Sequence, residues 1–435
     1  RRGTGLSMPN RKPHSFATLL APEALDSIAR SSGVVSRQSP KFNAAGFVLA
    51  LLGAASRGAS SYNQVAAALA GFAPRPMSRQ AMSGRLSPKS TDFLTNVLAA
   101  AVARRTRPSF AALGELPFRR VLVEDSTVVS MFKGNAAAFP NNGNGRTDTA
   151  GCKLDLVTDL LSGEALAARF CAAREPDQAL SSEIIGHCRE GDLVLRDMGY
   201  FCIHALDDID SRGAFWLSRL PANVGLRDRR GRRLAELLKA APGKRVDIRV
   251  QLGSRVPIGC RLVATRLGKA QAAANRRHRR REGKRRGKTP SKEGLLRDAW
   301  SIVVTNVPKE TVPAARLWAL YAQRWSIEIA FRAAKQSSNT HKALGHRSSE
   351  HHIKALVLAT ALLTVLAMKV HAQLRAAPDA DRGASLEKTY DAFVDYVLRR
   401  SAHNLDEPFA PDPRHLAHDK RARPTLWQSI TRCLG

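Results

Sequence analysis

The sequence predicts an α/β protein, a sheet-and-helix core flanked by helices, on three observations. Short β-branched and aliphatic runs succeed one another from Leu116 onward, and two of them are joined by a Ser162-Gly163 turn. A helical stretch at residues 181–188 then precedes the next run, the pattern of a hairpin followed by a helix crossover. Upstream, residues 42–102 are rich in Ala and Leu with helical spacing and no strand-like alternation, which predicts a small helical domain.

Within the helical part, Ser61 is the expected cap of a helix over residues 62–70, Gly71, Pro74 and Pro76 break it, and Ser78 starts a short second helix ending at Arg85. That spacing is compatible with a helix-turn-helix whose second helix offers Arg79, Gln80 and Arg85 to a DNA groove, although plain packing is the simpler account of such a pair. The runs 120–129, 153–158, 164–170 and 192–196 then read as successive strands. The Asn/Gly stretch at 140–145 lacks the Gly-Lys-Ser/Thr of a phosphate loop and reads as a flexible connection. A second β-rich block follows at 214–220, 245–252 and 257–266. It is interrupted at 276–288, where nine of thirteen residues are Lys or Arg, which predicts a solvated, flexible loop still able to touch phosphates. A strand at 300–307 and helices over 316–336, 352–373 and 386–400 complete the reading.

The chain has 435 residues, a prior of about three domains. It carries 69 Lys and Arg against 37 Asp and Glu, a net charge of +32. Such an excess repels itself unless a polyanion neutralises it, so nucleic acid is the first partner to consider. The longest apolar run, residues 355–368, is shorter than the roughly 20 residues of a spanning helix and reads as a buried core helix, with no membrane partner expected. The basic, polar start has no apolar signal core, so export is not expected and a cytoplasmic location is; Met8 is a candidate natural start. Six cysteines without a C-x-x-C pair predict reduced thiols rather than disulfides or zinc.

Two acids stand at strand ends. Asp125 shares a face with Val121 and Val123 while Glu124 points the other way, and Asp197 shares one with Leu193 and Leu195. Carboxylates at the carboxyl ends of sheet strands lie where α/β folds place their sites, and two together would repel unless a divalent cation sat between them. Either one alone reads more simply as a turn cap. In the helix over 316–336, Tyr321, Arg324, Glu328 and Lys335 fall within an arc of about 60°. A solvated stripe is the plain account, but apolar residues surround the rest of that helix and make it look mostly buried. Three acids flanked by Arg and Lys suit phosphoryl transfer with two magnesium ions, for which Mn²⁺ can substitute, and all-oxygen ligands favour Mg²⁺ over zinc.

Asp125-Ser126-Thr127, the run Asp197-Met198-Gly199-Tyr200-Phe201, and Tyr321-x2-Arg324-x3-Glu328-x6-Lys335 together resemble the three signatures of the DDE transposases of bacterial insertion sequences, in the insertion-sequence-four group. With the stretch 153–167 the resemblance covers roughly residues 116–373. It implies an RNase H-like catalytic core with a β-rich insertion between the second Asp and the Glu. The layout it suggests is a helical N-terminal DNA-binding domain over 1–108, the core at 109–220 and 299–375, an insertion with a basic loop at 221–298, and a C-terminal helical segment at 376–435 that could serve dimerisation.

By position, Asp125, Asp197 and Glu328 would be catalytic and hold the metals. Tyr321, Arg324 and Lys335 would hold the transposon end near a flipped base, and Trp300 occupies the place of a stacking aromatic, though a core role suits it equally. Arg276, Arg277, Arg279, Arg280, Arg281, Lys284, Arg285, Arg286 and Lys288 are expected to meet DNA phosphates. The function implied is metal-dependent cut-and-paste excision, typically through hairpin ends, and strand transfer, by a homodimer on two terminal inverted repeats and target DNA. The alternatives are an RNase H-like nuclease or resolvase that cuts without joining, and a non-catalytic DNA-binding protein derived from a transposase.

Overall fold

The computed structural model describes residues 21–37, 39–58, 61–104, 117–142, 149–254, 256–346, 348–375, 384–400, 409 and 413–416. The N-terminal stretch with Met8, the boundary near residue 108, half of the Asn/Gly connection, Cys433 and most of 376–435 lie outside the described residues. The centre is one mixed nine-stranded sheet in the order β3-β2-β1-β4-β5-β9-β8-β7-β6. Its strands are β1 (Val121–Met131), β2 (Ala150–Asp159), β3 (Glu164–Ala172), β4 (Leu193–Arg196), β5 (Phe215–Arg219), β6 (Leu226–Arg227), β7 (Arg245–Leu252), β8 (Ile258–Arg266) and β9 (Trp300–Thr305). β1, β4 and β5 run parallel, β2 and β3 fold back on β1 as a hairpin, and β9, β8, β7 and β6 continue antiparallel from β5. The strands of 221–298 therefore extend the core sheet.

Strand alternation sends two apolar sets to opposite faces. Val121, Val123, Leu193, Leu195, Leu217, Val263 and Val303 face one cluster; Leu122, Val194, Trp216, Leu262, Ile302 and Val304 face the other. The first face is covered by N-terminal helices and by a long helix. These are α1 (Pro22–Ser31), α2 (Ala44–Arg57), α3 (Tyr62–Ala70), α4 (Arg79–Arg85), α5 (Pro88–Ala103) and, far along the chain, the helix Glu350–Arg375. α2 is buried along nearly its whole length, because its Ala/Leu text is apolar on every side, and it packs on Glu350–Arg375. The N-terminal helices thus share one hydrophobic core with the sheet. Ser61 caps α3 in a capping box with Gln64, and Ser78 caps α4, as their positions in the sequence suggest.

The second face carries α6 (Asp177–Leu180), α7 (Glu183–His187), α8 (Ile203–Ser211), α9 (Leu234–Lys239), α10 (Lys269–Arg285) and α11 (Lys292–Arg297). The remaining helices are α12 (Ala314–Ala322), α13 (Ser326–Ser337), α14 (Thr340–Ala343), α15 (Glu350–Arg375), α16 (Leu386–Arg400) and α17 (Pro413–Leu416). α15 outruns the apolar stretch read in the sequence: it is long and apolar enough to cross a membrane by length and composition, but 94% of its apolar window is buried inside the protein. Cys152, Cys171, Cys188, Cys202 and Cys260 are free thiols.

Two expectations need correction here. The basic run is helical: α10 spans most of it, because Ala, Gln, Arg and Lys are good helix formers and like-charge neighbours cost only a few tenths of a kcal/mol per pair. The helix expected over 316–336 is two α segments, α12 and α13, joined by a tighter 3₁₀ turn at Gln323–Trp325.

α3 is clamped to α15 by Tyr62, whose ring stacks on His352 at 4.7 Å, and the His352 Nε2 has no hydrogen-bond partner among the described residues. Burial lowers the His352 pKa from 6.5 to about 4. The fold holds the neutral ring, so this stability is fully present above pH 6.5 and lost as pH falls towards 4. The native protein is expected to lose about 3 kcal/mol across that window that His352→Phe retains. Urea unfolding of both at pH 7 and 4.5 measures it, and equal losses would assign the effect to other groups.

Candidate active site

β1 and β4 are parallel neighbours, with Val123 opposite Leu195, so Asp125 and Asp197 leave the same end of the sheet on the same face. Glu328, in the first turn of α13, comes at them from the helix layer. All three converge on one guanidinium: Arg324 lies 3.0 Å from Asp125, 3.4 Å from Asp197 and 3.4 Å from Glu328. The 3₁₀ turn that separates α12 from α13 is the segment that carries it. The Arg324 side chain is 8% exposed while those of Asp197 and Glu328 are about one-third exposed, so the cation is inside and the acids form the mouth. Burial pushes Asp125 up to about 6 against the pull of Arg324, and its carboxylate is held by the Ser126 backbone N–H at 2.8 Å.

Tyr321 is buried beside this group, with burial raising its phenol to about 12 and its hydroxyl making no hydrogen bond among the described residues; its ring tilts against Trp318 at 5.7 Å. Lys335 is exposed, two turns along α13 from Glu328. Trp325 is 61% exposed and Trp318 42%, with Ile329 and Met198, next in sequence to Glu328 and Asp197, each at 39%, and the Arg324 guanidinium lies over the Trp325 ring at 5.8 Å. Trp318, Trp325 and Ile329 follow one another at seven and four residues, a helical stripe that is legible in the sequence but overshadowed there by the charged one.

Beneath the acids, on the other sheet face, lies a polar layer that sequence reading missed. Arg196 donates to Glu124 at 2.6 Å and to the Tyr200 carbonyl at 2.8 Å, and the Tyr200 hydroxyl donates to Asp155 at 2.6 Å. Asp177 accepts from Lys153 at 2.6 Å and from Ser126 at 3.1 Å. A Cβ on Gly199 would stand 3.1 Å from an Asp177 oxygen and 3.5 Å from an Asp197 oxygen, so the glycine lets two carboxylate-bearing segments close on one another. The signal is there in Lys153 and Asp155, two charges at alternate positions of a strand that is buried along its whole length.

The donors at the mouth are all carboxylate oxygens, the chemistry of a hard divalent cation rather than zinc, and three acids against one arginine leave negative charge for such an ion to meet. Among the described residues no three acids, histidines or cysteines stand close enough together to hold a metal ion; the guanidinium of Arg324 is what the three acids share. Asp197 and Glu328 are about one-third exposed and Asp125 less so, and a cavity of about 550 Å³ lies elsewhere, on β7 and β8.

Other candidate residues lie apart. Trp300 is 5% exposed and faces the cluster shared with Ile302 and Val304, across the sheet from Asp125 and Asp197, so its ring is a core element and is not available to stack on a base. Arg79 and Gln80 are exposed on α4. Arg85 is turned back into the helical domain, donating to the Val34 carbonyl at 2.5 Å and lying over Phe42, so it is not offered to a groove. On α10, Arg279 is tied to Asp298 at 2.7 Å and Arg276 to the Leu295 carbonyl at 3.1 Å, whereas Arg285 and Arg286 pair with Glu282 and Arg277, Arg280, Arg281 and Lys284 face solvent; Lys288 lies exposed beyond the helix.

A family model described as transposase DDE domain matches residues 116–365. Among curated proteins, the chain is 26% identical over 347 residues to the transposase for insertion sequence element IS231B of Bacillus thuringiensis subsp. berliner, covering 74% of this chain and 72% of that protein. It is 28% identical over 348 residues to the IS231D transposase of B. thuringiensis subsp. finitimus, with the same coverage. The IS1151 transposase of Clostridium perfringens is 23% identical over 284 residues, 60% of each chain. A solved synaptic complex of piggyBac transposase with hairpin DNA matches at a TM-score of 0.45 and 9% identity, covering 94% of this chain and 82% of that one, a likeness too slight to carry weight.

Proposed function

The chain belongs to the transposase DDE-domain family, as a DDE transposase of bacterial insertion sequences, and we propose that it excises a DNA element by cut-and-paste, through hairpin ends, and joins it to target DNA. The observation that carries this is the convergence of Asp125, Asp197 and Glu328 at one end of parallel strands β1 and β4. Reading the core as RNase H-like is supported by the order β3-β2-β1-β4-β5 with β1, β4 and β5 parallel. The sites are read as those of the insertion-sequence-four group, the domains as 1–108, 109–220, 221–298, 299–375 and 376–435, and the working form as a homodimer on two inverted-repeat ends in the bacterial cytoplasm.

In this reading Asp125, Asp197 and Glu328, which share Arg324 and do not stand at metal-ligating spacing in this structure, would close on two Mg²⁺ ions, or Mn²⁺ in their place, once the arginine gives way. Such ions lower the pKa of an attacking water or hydroxyl and stabilise a leaving oxygen. The chain's own groups do the rest. Arg324 keeps three like charges together, relieving their repulsion until a cation or phosphate competes for them. The buried, un-ionised Tyr321 phenol keeps a donor for a DNA oxygen. Lys335, exposed on the same stripe, meets the backbone phosphates, and the open mouth with its exposed Trp318 and Trp325 admits a duplex.

The test is cleavage and joining on DNA bearing the flanking inverted repeats, with Mg²⁺, for the native protein and Glu328→Gln. Excised ends and joined product from the native protein alone are expected. Cutting without joining would make the protein a nuclease or resolvase, and tight binding with no cutting would make it a non-catalytic derivative.

A further inference from the structure

The nucleic-acid surface of the insertion divides into two classes of cation. The twenty residues 269–288 contain ten Lys or Arg and one acid. At about 100° per residue, Ala272, Arg276, Arg279 and Gly283 share one side of α10, and Arg277, Arg280, Arg281 and Lys284 share the other. The first side is seated. Ala272 is buried in the core, Arg279 bonds both oxygens of Asp298 at 2.7 and 2.8 Å, and Arg276 donates to the Leu295 carbonyl. The second side is exposed and makes no ion pair or hydrogen bond among the described residues. Like charges at i and i+4, Arg277 with Arg281 and Arg280 with Lys284, oppose the helix, so the seated side holds rigid a stripe of charge that repels itself.

Placement decides what that stripe can meet. α10 packs in the cluster with Trp300, Leu262 and Ala264, whereas Asp125 and Asp197 continue the face of Val121, Val123, Leu193 and Leu195. The stripe and the acids are on opposite sides of the sheet. Duplex DNA stays straight over lengths well below its persistence length of about 150 bp, so a short segment gripped at the acids does not turn the sheet's edge to reach α10.

We infer that the outer stripe of α10, Arg277, Arg280, Arg281 and Lys284, binds a second segment of duplex DNA through its phosphates, separate from the segment at the acids and without regard to base sequence. This rests on the reading of the protein as an enzyme acting on duplex DNA. The stripe offers only positive charge, and Arg and Lys supply most protein contacts to DNA phosphates, so its contacts are assigned to the backbone.

The experiment uses the full chain. A duplex carrying one inverted repeat is fixed to beads and loaded with protein, and capture of a second, labelled duplex is measured across a salt series. The native protein is expected to capture it. The variant Arg277→Gln, Arg280→Gln, Arg281→Gln, Lys284→Gln should capture at least tenfold less while still loading on the first duplex, and its slope of log affinity against log salt should be shallower by about 3 to 4, near 0.9 per phosphate contact. Helix content by circular dichroism identifies a misfolded variant, and Arg277→Gln with Lys284→Gln alone should then show about half the slope change. Undiminished capture with an unchanged slope would overturn the inference, as would capture carried entirely by the seated Arg279. A native protein that captures a second duplex yet never cuts inverted-repeat DNA would sink the transposition reading and leave the stripe standing.

Discussion

Asp125→Asn is expected to abolish strand cleavage, by at least about a thousandfold, while duplex binding stays within a few-fold of native. The substitution keeps the shape and the hydrogen bond from Ser126 but removes a charge at the meeting point of three acids. Binding should not fall, because the change makes the mouth less negative towards phosphate. Burial holds the native carboxyl up at about 6, so the fold favours its protonated form. That contribution is present below the ordinary carboxylate pKa and is lost as pH rises towards 6. An amide in its place carries no such penalty. The variant should therefore melt no lower than the native protein at pH 7, and its melting temperature should vary less with pH between about 4 and 6. A cleavage time course with thermal melts at both pH values measures this. An Asp125→Asn variant that still cuts would remove Asp125 from the chemistry, and one inactive only because it melts early would assign the residue to structure.

The same residues mark how far a sequence can be read. Alternation along a strand is a local property, and it places Asp125 and Asp197 on the face of their valines and leucines and Glu124 on the other. The helical spacing brings Arg324 and Glu328 together for the same reason. Pairing across the sheet is not local. Trp300 stands one residue out of phase with Ser301 and Val303, and only the register of β9 against β8 and β5 decides that its ring turns from the acids. The helical state of the basic run was obscured by its charge, since the contact that seats it, Arg279 to Asp298, joins residues nineteen positions apart. The role of Arg324 as the one cation shared by three acids depends on distances between separate elements, which composition and spacing do not contain.

That non-local layer also sets the largest expected loss of stability, at Arg196. Arg196 and Glu124 have fully buried side chains, 2.6 Å apart on neighbouring parallel strands. Burial already raises Glu124 to about 8, outweighing the attraction of its partner. Arg196→Met would leave that carboxyl with no cation and free the Tyr200 carbonyl that Arg196 also holds. Above pH 8, where Glu124 is ionised, the expected cost is about 3 to 5 kcal/mol, the range for breaking a buried pair from one side. Because the fold then favours the protonated acid more strongly, the loss should be larger at pH 8 than at pH 5. Arg196→Met combined with Glu124→Gln should recover most of it, since removing both charges removes the desolvation penalty as well as the attraction. Denaturant unfolding of native, single and double variants at pH 5 and pH 9 makes the comparison, and a single variant within about 1 kcal/mol of native at pH 9 would show that the pair contributes little to the fold. The recovered double variant is then informative about chemistry. Asp197 follows Arg196 directly, and Tyr200 closes the turn after it, so a stable protein lacking only this pair reports how firmly the turn must be held for Asp197 to act. Cleavage restored along with stability would limit the pair to folding, whereas a stable but slow enzyme would make Arg196 the residue that positions the second acid.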